Sequence, residues 1–230
     1  MKTLYVDFDE DKIISNMEDV VPLFPLGNMV FFPNTVIPLH IFEERYKQMV
    51  DDSASSHNLI CMTLMNENEK SNDDNETISK IGCVGRIISN EEVEEGKKNI
   101  ILYGIGRIKI DEILYSKPYR QAKINLIKSI EAKDNSALYK RIVDLVGEWN
   151  LLIQDYNDSY KIKIDPNANF CKLIDSLSSI VVSSSLERQY LLEELDEGKR
   201  GVRLIEVLES RIDYLMGKLE LPDDKSNLIN

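Results

Sequence analysis

The spacing of apolar residues changes once along this 230-residue chain, and that change restricts the fold more than any motif does. From Val20 to Ile130 the apolar residues come in short bursts or alternate with polar ones, the period of strands. Beyond Lys133 they recur every three or four positions, the period of helices. A chain patterned in this order belongs to the α+β class, with a strand-rich front half and a helical back half. The expected organisation is an acidic lead-in over 1–19, a β domain over 20–132, an α-helical domain over 133–221 and a tail over 222–230.

In the front half, four of the seven prolines (Pro22, Pro25, Pro33 and Pro38) fall within one stretch. Proline has no backbone donor, so such a stretch is expected to follow sheet edges or to cross between them. Ile41 to Val50 shows a 3–4 residue spacing that predicts one short helix, and Leu59 to Met65 reads as an uninterrupted apolar strand. Asn66 to Ser79 has almost nothing to bury and reads as a mobile surface loop. Gly82 to Ser89 and Asn99 to Tyr103 flank Glu94-Glu95-Gly96-Lys97, which predicts a hairpin. Gly104-Ile105-Gly106 is expected to break the run before Arg107 to Leu114, and Tyr119 to Ile130 alternates again. Together these predict a small, mostly antiparallel β barrel carrying one short helix, because many short strands must hide their edges.

The back half predicts a four-helix bundle. Leu138, Ile142, Leu145, Val146, Trp149, Leu152, Ile153 and Tyr156 form one stripe. Asp165-Pro166 reads as the start of a second helix, with Asp as cap and Pro in the first turn. Ser184-Ser185-Leu186-Glu187 reads as a capping box opening a third. Val202, Ile205, Leu208, Ile212, Leu215, Met216 and Leu219 form the last stripe, which Leu221-Pro222 ends.

Charge and motifs narrow the function. Lys plus Arg total 28 against 40 Asp plus Glu, a net of −12. Nucleic acid and anionic membrane surfaces are disfavoured on that balance. No uncharged apolar run approaches the ~18 residues of a membrane helix. Met1 to Asp7 meets acid before an apolar signal region forms, so it does not read as a signal peptide, and Cys61, Cys83 and Cys171 read as small buried hydrophobes in a reducing cytoplasm. Cys61, Cys83 and Cys171 are widely spaced, and with only His40 and His57 beside them they predict no metal site. The Gly-Lys pairs lack the rest of a phosphate loop, and H-E-x-x-H and G-x-S-x-G motifs are missing. Gly104-x-Gly106 is half a dinucleotide fingerprint and opens no helix. The expectation is a non-enzyme with no catalytic residue, no cofactor and no metal.

What remains is surface recognition. Phe31-Phe32-Pro33 and His40-Ile41-Phe42 concentrate aromatics around prolines, as peptide-gripping surfaces do. The same residues also read as a proline-framed barrel core, and His40 also reads as a half-buried, hydrogen-bonded histidine. The candidate binding residues are Phe31, Phe32, His40, Phe42 and Tyr46, with Glu44 and Arg45 selecting partners by charge.

The stretch Val21-Pro22-Leu23-Phe24-Pro25-Leu26-Gly27-Asn28-Met29-Val30-Phe31-Phe32-Pro33, followed by Pro38-Leu39-His40-Ile41-Phe42-Glu43-Glu44-Arg45-Tyr46, closely resembles the start of the Lon protease N-terminal (substrate-binding) domain. Ile81-Gly82-Cys83-Val84-Gly85-Arg86-Ile87 is similar to a strand of that family. Asn99 to Ile108, with Gly104 and Arg107, resembles its hairpin strand, and Pro118-Tyr119 the element after it. Glu187 to Asp196 and then Arg203-Leu204 resemble its helical segment. The resemblance spans about Glu18 to Leu219. It implies a PUA-like barrel followed by a helical bundle, and recognition of unfolded or damaged protein. It also implies a stand-alone module without the family's ATPase and protease domains, and as partners unfolded polypeptides or an AAA+ protease that it serves as adaptor. Two other readings are an RNA-binding protein, which the PUA-like fold allows and the charge opposes, and a peptidase component active only with a separate ATPase or protease.

Overall fold

A computed structural model describes residues 20–65, 78–154 and 160–219. The expected lead-in 1–19, most of the expected loop 66–79, Tyr156 and the expected tail lie outside the described residues. The chain divides into two compact units between Ile127 and Lys128.

Among the described residues the first unit holds six strands and one helix: β1 (Val20–Leu26), β2 (Val36–Ile41), α1 (Glu44–Ala54), β3 (Leu59–Leu64), β4 (Ile81–Glu92), β5 (Lys98–Leu114) and β6 (Gln121–Ile127). The strand order is β2-β5-β4-β3-β1-β6, and β6 pairs back onto β5, so five strands close a ring and β2 lies outside it on β5. The sheet is mostly antiparallel, as expected, with one parallel pair: β1 and β3, with Leu23 opposite Cys61 and Leu26 opposite Leu64. The chain between them carries β2 and α1, long enough for the crossover that parallel pairing needs.

β1 corrects the expectation for its prolines, because it is an interior strand. Its first half pairs with β6 over Val20–Pro22 and its second with β3 over Leu23–Leu26. Leu23 N–H donates toward β6, to Arg120 O, and Leu26 O accepts on the β3 side, from Met65 N–H. Strand alternation then turns the nitrogen of Pro22 to the β3 flank and that of Pro25 to the β6 flank. Each missing donor falls where β1 has no partner on that side.

β3 is buried along its whole length, which explains its uninterrupted apolar run. Leu59 and Cys61 face a core shared with Val21, Leu23, Val84, Ile108 and Ile124. Ile60 and Met62 face a second core under α1, with Tyr46, Met49, Val50, Ile100 and Leu102. Ile78, expected in the polar loop, is buried in the first of these cores and bridges to Met65. Ile41 ends β2 instead of opening the helix, and α1 begins three residues later, where Glu43 O accepts from Tyr46 and Lys47 N–H.

The expected hairpin is present, closed by a tight turn at Glu94–Gly96 with both Glu95 and Gly96 at positive φ. The expected break at Gly104 is absent: β5 runs through it for 17 residues, with a register shift against β4 there, between Val84 and Gly85. A Cβ on Gly104 would lie 2.2 Å from Phe32 O, so the glycine is there to admit the Phe31–Pro33 segment against the sheet.

Among the described residues the second unit holds α2 (Ser136–Ile153), α3 (Phe170–Val181), α4 (Ser185–Glu193) and α5 (Glu197–Leu219). Buried Ile142, Leu145, Val146, Trp149 and Ile153 follow the expected stripe of α2. Asp165-Pro166 makes a turn, not a helix start; α3 begins at Phe170, where the Asn169 side chain accepts from Lys172 N–H at 2.9 Å. Ser184 caps α4 by accepting from Glu187 N–H, while the Glu187 carboxylate goes to Arg203. A Cβ on Gly201 would meet the Phe170 ring at 2.6 Å, so this glycine sets how closely α5 passes α3. Arg200, almost fully buried, lies beside buried Asp175 at 3.6 Å and donates to Glu194 O and Ser129 Oγ, tying α5 to α3 and to the segment before α2.

Candidate protein-binding face

β2 positions the site. Its inward residues Leu39 and Ile41 enter the core beneath α1, while Val36, Pro38, His40 and then Phe42 face outward at every second position. Val36 is 52% and Phe42 60% exposed, large for apolar side chains placed on one strip. Gly104 N–H donates to Thr35 O, so odd-numbered residues turn their backbone groups to β5 and even-numbered ones to the outer edge. That edge has no strand partner among the described residues, and Pro38 removes a donor from its middle. Side chains, more than ladder hydrogen bonds, are what this edge offers a ligand.

His40 is exposed and bonds through Nδ1 to Asn99 Oδ1, its partner across the β2–β5 ladder, at 2.8 Å. The amide oxygen only accepts, so Nδ1 carries the hydrogen. The Phe42 ring lies 6.2 Å from the His40 ring, tilted by 32°. At the start of α1 the exposed charges satisfy one another: Arg45 pairs with Glu43 at 2.7 Å, and Lys47 with Glu44 at 2.8 Å. Such exposed pairs exchange partners at little cost, so Glu44 and Arg45 remain open to a ligand's charges. Behind them a polar cleft of about 580 Å³ runs between α1 and the β4–β5 hairpin, lined by Gln48, Asp51, Glu92 and Lys98.

Three of the sequence-selected residues are not on this face. Phe31 and Phe32 are buried, Phe31 in the core beneath α1 and Phe32 against Gly104. Tyr46 is buried against Phe24, ring centroids 4.5 Å apart, with the Arg45 guanidinium 4.5 Å above its ring. Burial raises the Tyr46 hydroxyl's pKa, and Arg45 opposes that shift. Phe31 and Tyr46 belong to the core beneath the face. Sequence reasoning passed over Val36 and Pro38; the signal for them was their two-residue spacing from His40 and Phe42.

Reactive chemistry is sparse. Among the described residues no three His, Cys, Asp or Glu side chains gather as a metal site. Cys61 and Cys83 are buried thiols, and burial pushes the Cys61 pKa well above its ordinary value. Cys171 is pushed up to about 11 by burial and by Asp175, the reverse of what a nucleophile needs. Among the described residues no helix is long and apolar enough to cross a membrane.

The β unit and helical unit together define a class of α+β domain known from Lon proteases. The fold is similar to the N-terminal domain of Mycobacterium avium complex Lon protease, with a TM-score of 0.58 at 14% identity, covering 83% of this chain and 98% of that one. It is likewise similar to the Lon N-terminal domain protein from Xanthomonas campestris, with a TM-score of 0.58 at 18% identity, covering 81% and 97%. The model of the ATP-dependent protease La (LON) substrate-binding domain matches residues 20–210, and the chain belongs to that family. Relatives by sequence include the Lon proteases of Flavobacterium johnsoniae, 29% identical over 94% of this chain, and of Cytophaga hutchinsonii, 27% identical over 88%. The chain spans about a quarter of their length: 27% of the first and 25% of the second.

Proposed function

We propose that this chain is a non-catalytic module that binds apolar segments of unfolded or damaged polypeptide through the outward face of β2. The observation that carries this is the strip Val36, Pro38, His40 and Phe42, which holds apolar surface in water along β2 and just past its end. The family's description as a substrate-binding domain, and relatives named Lon protease, support a place in ATP-dependent proteolysis. The chain would there present clients to an AAA+ protease. Binding works by desolvating client side chains against Val36 and Phe42, with Glu44 and Arg45 discriminating by charge. The affinity is expected to be micromolar or weaker, because ordering a disordered ligand costs much of the contact energy.

Fluorescence anisotropy with a labelled, permanently unfolded model protein tests the reading. Phe42→Ala, at an exposed position that leaves the core untouched, is expected to weaken binding about fivefold to tenfold. Unchanged binding by a folded Phe42→Ala variant refutes the site, and no binding by the parent protein refutes the function.

A further inference from the structure

We infer that the helical unit carries a second polypeptide site, a groove between α4 and α5 that accepts an apolar segment flanked by lysine or arginine. This rests on the proposal that the chain binds polypeptide, and it names both another surface and the chemistry of its ligand.

The groove is a shallow, open one of about 1010 Å³, room for several residues of a bound segment. On α4, Leu191 and Leu192 go to the core, which leaves Leu186 and Tyr190, one turn apart, facing out at 65% and 55% exposure. On α5, Leu204 and Leu208 go to the core and Val202 faces out, 47% exposed. Single exposed apolar residues need no explanation, but these three line one groove with Leu138 at its floor.

The rim says what covers it. Arg203 reaches across to Glu187 on α4 and along its own helix to Glu206 at 2.7 Å, so one guanidinium stands between two carboxylates at the rim. Asp196 also lines the groove, and Lys199, the other cation there, lies 3.9 Å from Glu194. Carboxylates thus outnumber cations around the apolar floor, and both cations already face a carboxylate. The acidity is local, since beyond the Glu187–Arg203–Glu206 ridge a second hollow of about 720 Å³ is lined by Arg188 and Arg211. A ligand with apolar side chains for the floor and cations for the rim matches both features, whereas an acid-flanked segment meets like charge.

The test titrates the 230-residue chain with a fluorescein-labelled peptide of about ten residues, a leucine-phenylalanine run flanked by lysines, and with its glutamate-flanked twin. The lysine-flanked peptide is expected to bind at least about tenfold tighter. The double variant L186A/Y190A, shown folded by circular dichroism, is expected to lose about tenfold for that peptide, a change of about 1.4 kcal/mol. V202A is expected to lose about threefold. Equal affinity for the twins, or unchanged affinity in the double variant, overturns the inference. If F42A alone weakens binding, the helical site is wrong and the β2 site stands. If neither peptide nor an unfolded protein binds the parent chain, the polypeptide-binding reading itself falls.

Discussion

Tyr119 and Asp52 show how one residue pair sets a pH response. The Tyr119 hydroxyl donates to Asp52 Oδ2 at 2.7 Å, and Lys117 donates to the same oxygen at 3.2 Å. The Tyr119 bond, and then Lys117, hold the Asp52 carboxyl below its ordinary value of 3.8. Burial, and then Asp52, raise the Tyr119 hydroxyl above its ordinary value of 10.0. A depressed carboxyl adds stability that is present above 3.8 and lost as pH falls through its folded value; a raised hydroxyl adds stability present below 10.0 and lost as pH rises past it. Tyr119→Phe is therefore expected to cost about 1 kcal/mol on a plateau near neutrality, with the difference shrinking in acid and again in strong base; urea midpoints across pH check it. Glycines give a paired prediction. Gly104→Ala forces a Cβ into Phe32 O and is expected to destabilise by about 2–3 kcal/mol. Gly147→Ala, within α2 and with nothing inside 4 Å, is expected to stabilise by about 0.5–1 kcal/mol. The need for Gly104 was invisible in the sequence, because the atom it makes room for belongs to a segment some seventy residues earlier.

At the scale of elements, Asn169→Ala removes the α3 cap and is expected to lower stability by about 1 kcal/mol in denaturant titration. Asp165→Ala, in the turn that precedes the helix, is expected to cost less, which checks where the helix begins. The sequence pointed to Asp165-Pro166 because proline favours a first turn, yet the apolar face that docks begins only at Phe170. Where the element's own residues set its burial, its pattern was readable: β3 with both faces buried, α2 with its stripe, and the β4–β5 hairpin with its acidic turn. Where a long-range partner decides, it was not. The parallel pairing of β1 with β3, the passage of β5 through Gly104, and the burial of Arg200 beside Asp175 all depend on contacts far apart in the chain. The candidate face was half legible for the same reason: Phe42, His40, Glu44 and Arg45 are exposed, while Phe31 and Tyr46 were drawn inward by the core beneath α1 and Phe32 lies buried against Gly104.

For the whole molecule, 40 acidic against 28 basic residues set the long-range field. Single-stranded RNA is expected not to be retained in a filter assay at about 150 mM salt, since no counterion release offsets the repulsion. One strand also orders how the first unit assembles. β5 gives its early residues to β2, its late ones to β6, and lies along β4 from Lys98 to Lys109. Neither outer partner has a place to dock until β5 is laid down, so the β4–β5 hairpin is expected to form first, and β1, whose partners on β3 and β6 lie far along the chain, is expected to dock late. Trimming Leu102, in the centre of that hairpin, should therefore slow refolding, whereas trimming Leu23 in β1 should chiefly hasten unfolding, a contrast that stopped-flow kinetics would resolve.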